Sequence, residues 1–154
     1  MKAYAFIRKD GAPLPPGCAG HVGWAITLDD GGILAGSTEN QSGLPLVPPG
    51  HPNGAWATEF AGEDELLADL RAETAVHPAY DGVTVLGVRH PRPGPAAELG
   101  RAIVGWGYTA VGNNCLDHTF KVLVAYGEDG IPWPSTHPSP NDWFAVLIGE
   151  YHNL

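Results

Sequence analysis

The stretch HVGWAIT, residues 21–27, decides how this chain folds. Its pattern has period two. Val22, Trp24 and Ile26, with Leu28 beyond, face one way, and His21, Gly23, Ala25 and Thr27 face the other. A half-buried strand of an antiparallel sheet reads like this. The apolar row is the core face. The other row is small and polar, and a histidine heads it, as suits a wall beside a cleft.

The chain turns at Asp29-Asp30-Gly31-Gly32 and returns as ILAGSTEN, residues 33–40. The two runs therefore predict a hairpin. A turn centred on Asp30 and Gly31 without a bulge places Asn40 opposite His21. One bulged residue brings Glu39 there instead. Asn40 is the first choice for a partner of the His21 ring, and Glu39 the second.

Far downstream, GYTAVGNNCLDHTF, residues 107–120, carries the second key residue. Cys115 stands where a helix begins after Asn113 and Asn114. That helix runs to Tyr126, buries Phe120, Leu123 and Val124, and stops at Gly127. A helix N-terminus lowers the pKa of a thiol, and the thiolate is the form that attacks acyl carbons. Such a nucleophile needs an imidazole within hydrogen-bond reach and a third polar group to orient the ring. Cys115, His21 and Asn40 (or Glu39) are the candidates.

The remaining elements complete a mixed pattern. AYAFIR, 3–8, and GVTVLGV, 82–88, read as strands. EDELLADLRAET, 63–74, reads as a helix with Leu66, Leu67 and Leu70 inward. PAAELGRAIVGW, 95–106, is a second helix and DWFAVLIGEY, 142–151, a last one. Residues 41–62 hold four prolines and read as a long ordered loop. Trp24, Trp106 and Trp143 are expected in the core, and Trp56 and Trp133 in proline-rich loops. The fold class is α+β: one domain, 1–154, with a small antiparallel sheet packed on helices.

Order and motifs together resemble the circularly permuted NlpC/P60 papain-like group. HVGWAI followed much later by YTAVGNNC is similar to the lecithin:retinol acyltransferase-like proteins, with their strand histidine and "NCEHF". It is similar also to the PPPDE peptidases, with "NNCNxF". In these forms the histidine strand precedes the cysteine helix. The resemblance implies a papain-like fold and a cysteine hydrolase, peptidase, amidase or acyltransferase. Cys115 would be the nucleophile and His21 the base. Tyr108, seven residues before Cys115, would match the group's oxyanion tyrosine, beside the Cys115 N–H. Cys115 and His21 would act on an amide, peptide or ester carbonyl without a cofactor. The chain departs from the acyltransferase branch in three ways. His21 and Trp24 are not adjacent, the second-strand histidine is missing, and no apolar C-terminal anchor follows.

Composition narrows the partners. Eight Lys and Arg stand against 17 Asp and Glu, a net charge of -9. Such a field repels nucleic acid and anionic membrane surfaces. No leader-like or membrane-spanning run is present, so a cytoplasmic location is expected. Two rival readings remain open. Cys18-x-x-His21 and Cys115-x-x-His118 have zinc-ligand spacing. The same fold can also serve as a non-catalytic binding module. His118, one helical turn after Cys115, points along the same face rather than at the sulfur. It reads as a packing or hydrogen-bonding residue.

Overall fold

The computed structural model describes residues 1–14 and 17–154. The zinc reading's Cys18 has its side chain outside the described set. In chain order the strands and helices are β1 Lys2–Arg8, β2 Pro13–Leu14, β3 Gly17–Cys18, β4 His21–Thr27, β5 Ile33–Thr38, β6 Leu46–Val47, β7 Ala55–Phe60, α1 Glu63–Arg71, β8 Gly82–Gly87, α2 Pro93–Ile103, β9 Tyr108–Thr109, α3 Cys115–Tyr126, α4 Pro140–Ala145 and β10 Glu150–Asn153. The fold is α+β. A six-stranded antiparallel sheet, ordered β10-β8-β1-β4-β5-β7, carries four helices, and β2–β3 and β6–β9 form two small ribbons.

Strand alternation divides the core into two. Ala3, Ala5 and Ile7 of β1 and Val22, Trp24 and Ile26 of β4 pack with Ala96, Leu116, Phe120, Leu123 and Trp143 from α2, α3 and α4. Tyr4, Phe6 and Ala25 turn to the opposite face and meet Trp56, Leu66, Leu70 and Tyr80. Beyond His21, the small row of β4 is thus covered rather than open beside a cleft, as its size suggested. α1 covers that face, and β4 is buried along nearly its whole length. Trp24 fills the space between the sheet and α2. A Cβ on Gly100 would stand 2.3 Å from its ring, so α2 can approach only where this residue has no side chain. Truncating such an indole costs about 3–5 kcal/mol.

Several boundaries differ from expectation. Residues 41–62 contain β6 and β7, so the proline-rich stretch is not simply a loop. Its prolines interrupt the segment but leave AWATEF free to pair along β5. Trp56 is therefore a buried strand residue. Trp106 is partly exposed rather than core. The final helix starts earlier and ends by Ala145, and the expected EY end pairs with β8 as β10. α1 and α2 are each shorter at the C-terminal end than predicted, and Leu67 of α1 is only partly buried.

The hairpin register is the correction that matters for the site. Leu28 N–H donates to Gly32 O, so the loop is Asp29-Asp30-Gly31. Gly31 has φ +90°, the left-handed conformation of a bulged three-residue turn. Trp24 consequently pairs with Gly36 and Ala25 with Ala35. The bulged register puts Glu39, not Asn40, in line with His21.

Candidate active site

α3 begins at Cys115 because Asn114 caps it. The Asn114 side chain accepts from the Leu116 and Asp117 N–H groups, and Asp117 accepts from the Asn114 N–H. His118 N–H donates to Asn114 O. Among the described residues, this cap gives the Cys115 N–H no acceptor. One main-chain donor is thereby left beside the Cys115 sulfur, where a helix N-terminus favours negative charge.

The Cys115 sulfur faces the His21 ring and the backbone of Val22, and both favour its charged form. His21 is held from its other side. Its Nε2 lies 2.7 Å from Ser37 Oγ and 3.2 Å from Glu39 Oε1. Ser37 donates its own proton to Val22 O, so its oxygen accepts from Nε2–H. That assignment fixes the tautomer and leaves Nδ1 for the thiol.

Glu39 sits at the centre of a buried cage. Its carboxylate accepts from Trp56 Nε1 at 3.2 Å, from the Tyr80 hydroxyl and from Arg8 at 3.1 Å, besides His21. Arg8 is the cross-strand partner of His21 on β1. Cation, imidazole and carboxylate thus form a row across three strands. Arg8 also stands 5.7 Å over the Tyr80 ring.

The charges agree with this geometry. Burial alone would raise the Glu39 pKa, but His21, Tyr80 and Arg8 outweigh it and hold the carboxyl at about 2. Burial alone would lower His21, yet the Cys115 thiolate and Glu39 push it up to about 9. Cys115 is opposed by burial as well, and the His21 imidazolium brings its pKa below the ordinary value. The favoured state is a thiolate beside an imidazolium.

Tyr108 and Asn40 complete the other wall. Burial and the nearby Cys115 charge raise the Tyr108 pKa, which keeps its hydroxyl protonated. The Asn40 amide stands beside that hydroxyl, partly offsetting the rise, and donates to Leu44 O. Asn40 itself adopts φ 46°, so the chain leaves the strand there. The expectation that Asn40 orients His21 is corrected. Asn40 supports Tyr108, and Glu39 orients the ring, because the Gly31 bulge shifts the register by one residue.

His118 is not a second base. Its Nδ1 lies 2.8 Å from Thr38 Oγ1, and its Nε2 is 2.6 Å from Asn113 Oδ1. Burial and the Lys121 charge push its pKa down to about 4, so it is neutral. It ties α3 to β5 and to the loop before Cys115. With both nitrogens engaged, it offers nothing to a metal. No group of three His, Cys, Asp or Glu that could hold an ion occurs among the described residues.

Arg8, His21, Thr38, Glu39, Asn40, Leu44, Pro45, Tyr108, Ala110 and Cys115 line one cavity of about 410 Å³. A larger cavity, about 780 Å³, lies toward the C-terminal end of α3, between Phe120, Trp133 and Arg92. It contains no nucleophile paired with a base, so size alone does not mark the reactive cleft. Ser37, Trp56, Tyr80 and Arg8 escaped the sequence reading, since three of them lie on other strands or loops and none carries a motif. No helix among the described residues is long and apolar enough to cross a membrane. Comparison with family models, curated proteins and solved structures gives no match.

Proposed function

We propose that this chain is a papain-like cysteine hydrolase or acyltransferase acting on an amide, peptide or ester carbonyl. One observation carries the reading. His21 is fixed through Nε2 by Ser37 and Glu39 while its opposite edge meets the Cys115 sulfur. A buried structural cysteine has no need of an oriented, carboxylate-backed imidazole.

The chemistry follows from these positions. The Cys115 thiolate adds to the carbonyl carbon. Tyr108 O–H and the Cys115 N–H donate to the oxygen as it becomes negative. The tetrahedral adduct collapses, the bond to the leaving group breaks, and His21 gives that group its proton. A thioester on Cys115 remains. Water attacks it in hydrolysis and another nucleophile in transfer. His21 removes the attacking proton in either case, and the acceptor that enters decides between the two.

Alkylation of the thiol tests this directly. Cys115 should react with iodoacetamide well below pH 8, and His21→Ala should move the profile up toward that of a free thiol. Reaction only above pH 8 in both proteins would refute the proposal. Cys18 is followed separately by peptide mass.

A further inference from the structure

We infer that the cleft takes an uncharged, apolar acyl group, seated against Leu44, Pro45 and Ala110. The inference rests on the proposed thiol chemistry and names its substrate class.

Two sides of the cavity are chemically distinct. Toward His21 stand Arg8 and Ala12, and the leaving group must lie there because His21 protonates it. The acyl group, still attached to sulfur in the thioester, occupies the other side. There the β6–β9 ribbon and its flanks bring Leu44, Pro45, Tyr108 and Ala110 together in the lining, with the Asn40 amide beside them. The two permanent charges of the lining, Arg8 and Glu39, are paired with each other. The polar groups on the acyl side, the Tyr108 hydroxyl and the Asn40 amide, carry no charge to pair with a charged substituent.

The apolar lining continues outward. Leu44 is 56% exposed, Leu46 59% and Val111 88%. Leu44 lines the cavity itself, and Leu46 and Val111 follow its lining residues Pro45 and Ala110 directly in the chain. The ribbon β6–β9 and a hydrogen bond from Ala110 N–H to Pro45 O hold their two segments side by side. Apolar surface left in water beside a nucleophile is surface available to a substrate.

The wall is also fixed in place. Asn40 donates to Leu44 O and stands beside the Tyr108 hydroxyl in the same lining. One side chain therefore sets the distance between the apolar wall and the oxyanion donor. Preorganisation of this kind positions the scissile carbonyl.

The test compares p-nitrophenyl acetate, hexanoate and succinate as acylating agents of Cys115, followed by mass and corrected for spontaneous hydrolysis. Hexanoate should acylate the wild type at least tenfold faster than acetate, and succinate no faster than acetate. Leu44→Asp, and separately Val111→Asp at its more exposed site, should shrink the hexanoate-to-acetate ratio several-fold. Equal rates for the three esters, or a ratio unchanged in both variants, would overturn the inference. If iodoacetamide still labels Cys115 at low pH in that case, the dyad stands and only the substrate class falls. If Cys115 reacts with neither esters nor iodoacetamide below pH 8, both readings fall together.

Discussion

Glu39 Oε1 lies 3.2 Å from His21 Nε2, on the residue that the bulged turn at Gly31 brings into line with the histidine. The same oxygen accepts from Trp56 and Tyr80. The histidine is therefore oriented by a carboxylate that three elements besides its own strand hold still. In the proposed mechanism Cys115, His21 and Glu39 would act as a triad, with Glu39 held by Arg8, Trp56 and Tyr80.

Glu39→Gln should lower kcat by about 10²–10⁴-fold, the range for loss of effective general acid–base catalysis. His21 is raised to about 9 partly by Glu39. Without that charge the imidazolium loses its proton at lower pH, so the alkaline limb of the rate profile moves down. Asn40→Ala should leave that limb in place. A pH–rate series on both variants separates the two residues. An unmoved limb in Glu39→Gln would contradict the triad.

Acid should destabilise the fold through the same carboxylate. Unfolded, Glu39 takes up a proton near its ordinary value of 4.5, whereas folded it stays ionised to about 2. Its contribution is full above pH 4.5 and is lost as pH falls toward 2, on the order of 3 kcal/mol. Urea denaturation at pH 6 and pH 3 should recover about 2 kcal/mol of it, because the folded carboxyl is still largely ionised at pH 3. Glu39→Gln should flatten the difference between those two conditions.

Tyr108→Phe removes one oxyanion donor and should reduce kcat by about 10²-fold. The phenol hydroxyl does not orient His21, so the iodoacetamide profile of Cys115 should keep its shape. Equal loss of turnover and of thiol reactivity would place Tyr108 in the support of the dyad instead.

His118→Ala separates structure from catalysis. It strips Thr38 Oγ1, which is fully buried, and Asn113 of a partner and leaves a cavity under α3. Thermal unfolding should show a loss of roughly 2–4 kcal/mol. The pH dependence of Cys115 alkylation should not move. A profile displaced as far as in His21→Ala would make His118 part of the reactive pair.

The sequence by itself determined the strand of His21, the helix of Cys115 and their order along the chain. Alternation with period two needs only local sterics and one buried face, and Asn114-Cys115 with Asp117 three residues after the cap satisfies a helix terminus within a few residues. Those signals are local, and they are legible wherever the chain is read. The register of β4 against β5 was open between Asn40 and Glu39. A single bulged residue decides it, and the bulge is settled by how both strands pack against β1 and β7. The cage of Arg8, Trp56 and Tyr80 around Glu39 has no linear signature, because its members come from β1, β7 and the segment before β8. Asn40 changed role for the same reason. Its left-handed backbone turns it from the histidine to Tyr108 and Leu44, a choice made by tertiary contacts that lie outside the local run of residues.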